Sequence, residues 1–147
     1  MSLRYKSSGE IHKDFHGLTC ATLHYLIDNY GEETLEIIVR RFAQEVYKTI
    51  HEGLKNDDVT ELIEFWRYYF SREGGDFVID CTDEGVHLEV RNCPVLSHLV
   101  KIRRKSDSII CEATKLFNMF ITEGSSYVST LNKTGEFSCE QIIAKKK

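Results

Sequence analysis

Apolar residues recur at three- and four-residue spacing up to residue 71, and then the pattern switches to alternation. From Asp14, the positions Phe15, Leu18, Leu23, Leu26 and Ile27 mark a helix, with Asp14 as N-cap and Gly31 as its stop after Asn29-Tyr30. Glu32 and Glu33 suit the start of a second helix, which the stripe Leu35, Ile38, Val39, Phe42, Val46 and Ile50 carries to about Glu52. Gly53 and Asn56-Asp57 break it. A third helix, from about Asp58 to Ser71, turns Val59, Leu62, Ile63, Trp66 and Phe70 inward. Glu73-Gly74-Gly75-Asp76 then ends all helical character.

Beyond that point Phe77, Ile79 and Cys81 alternate with Val78 and Asp80, and Val86, Leu88 and Val90 with His87, Glu89 and Arg91. Thr82-Asp83-Glu84-Gly85 between the two runs predicts a turn, hence a β-hairpin. Pro94, the only proline, fits the first position of a short helix reaching about Arg103. A further helix is predicted from Asp107 to about Thr122, with Ile109, Ala113, Leu116, Phe117 and Phe120 on its apolar face. Tyr127 to Leu131 and Glu136 to Ile143 read as a second hairpin around Asn132-Lys133-Thr134-Gly135. Strands that arrive as hairpins pair antiparallel. The expected fold is therefore α+β, one antiparallel sheet built from two hairpins with about five helices on one face. The pattern predicts a single domain over residues 12–144 and a flexible lead-in over 1–11.

Composition narrows the function. The 147 residues are 41% hydrophobic and carry a net charge of −4, with no basic block before Lys145-Lys146-Lys147. A nucleic-acid partner would leave a basic face, so none is expected, and the lysine run reads as a solvated tail. No apolar run approaches the roughly 18 residues a membrane span needs, nor does an apolar secretory region open the chain. Five cysteines with no Cys-x-x-Cys pair predict reduced thiols in a cytoplasmic protein.

Three groups of residues can carry chemistry. His12, His16, Cys20 and His24 are spaced by four, which puts those within the helix on nearly one face, where zinc would be the fitting ion. The plainer reading makes Cys20 core, His12 and His24 surface, and His16 partly buried. Cys93 precedes Pro94 at what would be a helix N-terminus, where partial positive charge favours thiolate, and His98 follows about one turn later as base or orienter. The plainer reading makes Cys93 a small apolar strand end and His98 an exposed residue. Cys111, Thr114, Asn118 and Thr122 form a stripe beside an apolar helix face, and its Cys and Asn suit a pocket wall better than Lys and Glu would. Glu112 and Glu123 read as surface groups, unless Glu123-Gly124 turns the carboxylate inward. Nucleotide loops, Ser-His-Asp signatures, zincin helices and calcium loops are absent from the sequence.

With these residues assembled, the chain resembles the L-2-amino-thiazoline-4-carboxylic acid hydrolase-like family. The similarity lies in Lys13-Asp14-Phe15-His16, Tyr30-Gly31-Glu32-Glu33, Glu73-Gly74-Gly75 and Asn92-Cys93-Pro94-Val95 with Ser97-His98. It continues through Cys111-Glu112-Ala113-Thr114 with Asn118, Glu123-Gly124-Ser125 and the Gly135 hairpin, covering roughly residues 12–143. The resemblance implies a fold related to 4-vinyl-reductase-like ligand-binding domains, α+β units that often dimerise and sometimes bind zinc through Cys and Glu. It also implies ring-opening hydrolysis of a small cyclic amino-acid-like substrate.

Three functions are compatible with these residues. In a hydrolase of C–N or C–S bonds, Cys93 would act as nucleophile or metal ligand, His98 or His16 as proton carrier, and Cys111, Thr114, Asn118 and Glu123 would bind substrate. In a non-catalytic sensor the same pocket would hold a small ligand or a metal. In an interaction domain the run Trp66, Tyr68, Tyr69 and Phe70 would form a homodimer face, although core packing with surface tyrosines is the commoner outcome.

Overall fold

The structure, a computed structural model, describes residues 13–102 and 108–147. Its helices are α1 (Asp14–Arg41), α2 (Lys48–Lys55), α3 (Thr60–Glu73), α4 (Pro94–Lys101) and α5 (Ile109–Ile121). Its strands are β1 (Asp76–Thr82), β2 (Gly85–Asn92), β3 (Tyr127–Lys133) and β4 (Cys139–Lys145). The strands make one antiparallel sheet in the order β1-β2-β4-β3, so the two hairpins join through β2 and β4. The fold is α+β, as the two-hairpin pattern predicts. The expected lead-in over residues 1–11, His12, and the expected helix start at Asp107 lie outside the described residues.

Gly31 bends the first helix where the stop signal stood. Its φ of 82° and ψ of 170° interrupt α1 and leave one arm before the bend and one after it. The second arm does not run on to Glu52. A π-helical turn over Phe42–Val46 intervenes, and Tyr47 leaves helical geometry before α2 begins. A π turn takes in one more residue than an α turn and so rotates the next part of the chain about the helix axis. Tyr47 thereby lands between Phe65 and Phe117, with ring centroids 5.0 and 5.1 Å away and both pairs edge to face.

The buried stripe of α1 is displaced from the expected one. His16, Gly17, Cys20 and Leu23 face inward, whereas Phe15 and Leu18 are each 61% exposed. His24 is exposed, so it does not share the buried face of His16 and Cys20. The aromatic run of α3 divides by helix geometry: Trp66 and Phe70 enter the core, while Tyr68 and Tyr69 are half-buried. Gly74, at φ 73°, closes α3, and its neighbour Gly75 fits tightly between Phe70 and Pro94.

Strand pairing sets the inward face as rows across the sheet. One row is Phe77, Val90, Cys139 and Lys133; the next is Ile79, Leu88, Gln141 and Leu131; the third is Cys81, Val86, Ile143 and Ser129. Leu88, Val90 and Ile143 are fully buried beneath helices that supply Leu62, Leu96, Leu99, Phe120 and Ile121. Each such aliphatic side chain contributes about 1.5–3 kcal/mol on burial. The row nearest the start of α4 is covered less completely, and a cavity opens above it.

Candidate functional site

That cavity measures about 770 Å³ and lies between both arms of α1, α3, α5 and the sheet. Its volume falls within the range of sites for drug-sized molecules. The walls are mainly aromatic and aliphatic: Tyr47, Phe65, Trp66 and Phe117 are among the rings, Leu23, Leu26, Val39 and Ile110 among the aliphatic side chains. Phe15, Leu18, Ile38 and Phe42 are both exposed and part of the lining, so they form an apolar rim.

Most of the sequence-predicted residues meet in this space. Cys93, His16, Cys111, Thr114 and Asn118 all line it. His98 and Glu123 do not. His98 lies behind the wall, its ring 6.0 Å from that of His16 and its Nε2 buried with no hydrogen-bond partner. Glu123 is on the surface because the helix has already ended at Ile121; its carboxylate accepts from Gln44 at 2.6 Å and pairs with Arg40 at 3.1 Å. Thr114 donates its hydroxyl proton to the carbonyl of Ile110, so toward a ligand it offers a methyl group and an acceptor.

Cys93 occupies the N-cap position of α4, with Pro94 inside the first turn, as the Cys-Pro pair predicts. Its backbone is held from both sides: its N–H donates to the Phe137 carbonyl at 2.7 Å, and its own carbonyl accepts from Ser97 N–H. Its thiol makes no capping bond and lines the cavity. Two further thiols share the wall, Cys111 on α5 and Cys139 on β4. Burial pushes the Cys111 thiol upward, with Lys133 pulling the other way. Burial also drives Cys139 up to about 11 against an opposing contact from Gln141. At neutral pH both are therefore thiols rather than thiolates. Tyr69 is held well above the ordinary phenol range, first by burial and then by Cys93 and Glu73 nearby.

Two buried polar pairs sit against this apolar space. In the first, His16 Nε2 and Glu73 Oε2 are 2.9 Å apart, and the Glu73 side chain is almost wholly enclosed. An ionised carboxylate only accepts, so in that state Nε2 carries the proton. Glu73 Oε1 has no partner, and Lys13 Nζ reaches only the Glu73 main-chain carbonyl, at 3.4 Å. In the second pair, Asn118 Nδ2 donates to Gln141 Oε1 at 2.8 Å, leaving Asn118 Oδ1 buried and unpartnered. A buried polar atom in that condition costs about 1–3 kcal/mol.

Glu73, Cys139 and Gln141 are additions to the residues the sequence points to. Glu73 reads there as the end of a helix before two glycines, and nothing local marks it as enclosed. Gln141 leaves a trace, being the polar member of an inward alternation between Cys139 and Ile143. Among the described residues, no group of three or more His, Cys, Asp or Glu side chains is arranged to hold a metal ion. Nor is any helix there long and apolar enough to cross a membrane.

No family model, curated protein or solved structure matches the chain. The likeness to thiazoline acid hydrolases thus rests on its motifs alone.

Proposed function

We propose that this chain binds a largely apolar small molecule in the space between its bent first helix and the sheet. One observation carries the reading: a cavity of about 770 Å³ whose walls are chiefly aromatic and aliphatic, with few polar groups and an apolar rim. Leaving so much apolar surface uncovered forgoes burial at about 25 cal/mol per Å², a loss that a bound ligand makes good. The walls suit an apolar body better than a small, highly polar acid.

The test is a titration with the neutral fluorescent probe N-phenyl-1-naphthylamine. The native chain should bind it saturably, and Ala113→Trp, which fills the cavity from α5, should abolish binding while leaving the circular dichroism unchanged. Absence of saturable binding to the native chain overturns the reading.

A second reading, a cysteine-dependent hydrolase, is favoured by Glu73 and His16. A buried carboxylate that fixes an imidazole, beside a cavity lined by that imidazole and by a thiol at a helix N-cap, supplies the parts of an activated nucleophile. Cys93 would attack and His16 would carry the proton. On this reading a p-nitrophenyl ester of an apolar acid is hydrolysed with an initial burst, and Cys93→Ala removes the burst while retaining probe binding. Equal turnover by the variant ends it. The homodimer remains a proposal of the resemblance, checked by sedimentation.

A further inference from the structure

The cavity is apolar almost throughout, but one charge stands at its edge. Among the described residues that line it there is no aspartate or glutamate, and Lys133 is the one lysine or arginine. His16, a further basic group there, is engaged by Glu73. Lys133 ends β3 directly opposite Cys139 in the strand pairing, on the inward row that also carries Val90 and Phe77, yet it is exposed. It therefore meets the cavity at its solvent-facing margin. Burial raises the Cys111 and Cys139 thiols, and the Lys133 ammonium opposes that rise at both, so the charge lies close to two side chains of the cavity wall. An ammonium has three donor hydrogens. One goes to the Glu136 carbonyl at 3.0 Å, and among the described residues no carboxylate pairs with this ammonium.

We infer that the cavity takes a long-chain carboxylate, its hydrocarbon body along the aromatic and aliphatic walls and its head group on Lys133. The inference rests on the cavity being a ligand site, and it adds the ligand's chemical class. Apolar walls alone suit any hydrocarbon; a cation at the margin with no carboxylate partner selects an amphipathic anion. An alcohol or ester leaves that charge unbalanced, and an amine opposes it. A phosphate monoester brings up to two charges to one ammonium. Held at the margin, the carboxylate stays partly hydrated and avoids the cost of burying a charge, while each methylene that leaves water adds affinity.

The experiment competes dodecanoic acid, dodecanol and dodecylamine against N-phenyl-1-naphthylamine on the native chain at neutral pH. The three share one hydrocarbon chain and differ only at the head. The acid should displace the probe about fivefold more tightly than the alcohol, the scale of one exposed ion pair, and more tightly still than the amine. A water-soluble carbodiimide then locates the head. It activates the carboxyl group of the bound acid, a neighbouring lysine amine attacks the carbonyl carbon, an amide forms and the urea leaves. Peptide mass spectrometry should find the dodecanoyl group on Lys133 ahead of the other lysines, and excess probe should suppress that site alone. Equal competition by all three compounds overturns this inference and leaves the cavity reading standing, as does a label spread evenly over the lysines. Failure of the native chain to bind the probe removes both.

Discussion

The two buried polar pairs of the cavity make an instructive contrast. Glu73 and His16 join α3 to α1 through groups that ionise, and one carboxylate oxygen is left without a partner. Asn118 and Gln141 join α5 to β4 through neutral amides, also with one oxygen unpartnered. Both pairs cost stability relative to apolar packing, but they respond differently to damage. Removing one member of an enclosed ionisable pair strands a buried polar group, whereas removing both members of an amide pair strands nothing. The first arrangement suits moving or holding a proton.

The largest effect is expected at the His16–Glu73 pair. His16→Ala should destabilise the chain by about 3–5 kcal/mol, measured by urea unfolding, because Glu73 is left buried without its imidazole. A loss below about 1 kcal/mol would mean that the pair is open to solvent and not the enclosed unit described. Next comes the amide pair, where Asn118→Leu alone should cost about 1–3 kcal/mol by orphaning Gln141. Adding Gln141→Met should recover most of that loss. If the double variant is no more stable than the single one, the two amides are not energetically coupled.

That ordering was only partly legible in the chain. The hairpins at Phe77–Val90 and Tyr127–Ile143 follow from alternation bounded by Gly85 and Gly135, since turn chemistry and period-two burial are local properties. The meeting of Cys93, Cys111, Thr114 and Asn118 was legible too, because a helix N-cap and a helix stripe each commit side chains to a direction. Which face of α1 turns inward was not legible. Phe15 and Leu18 look like core on hydrophobicity, and their exposure follows from packing against distant elements. Glu73 was hidden for the same reason: its partner lies 57 residues earlier in the chain. The break at Phe42–Val46 left no signal, because its residues are ordinary helix formers on a regular apolar stripe.

A third test separates the regions by pH. Cys139 is raised to about 11 in the folded chain, so the unfolded chain ionises this thiol first as pH rises. Its contribution to stability is complete below the ordinary thiol range of about 8.5 and is lost by about 11. Unfolding should therefore become easier across that window, and Cys139→Ala should flatten the slope. An unchanged slope would assign the alkaline loss to other groups, such as Tyr69. The smallest effect is one of rate. At pH 8 iodoacetamide should modify exposed Cys81 well before Cys111 or Cys139, as read by peptide mass spectrometry. Prior occupation of the cavity should slow Cys111 and Cys139 and leave the rate at Cys81 unchanged.

The strand that carries Cys139 and Gln141 into the cavity also carries Ile143 into the core, all three inward with a period of two. A one-residue shift of β4 in its pairing would present the opposite face of that strand, sending the cavity lining and the core packing outward together. The cavity wall and the core are thus tied to one register. Loop-length changes between β3 and β4 are expected to disturb both, whereas a substitution at a single inward position alters only its own surroundings.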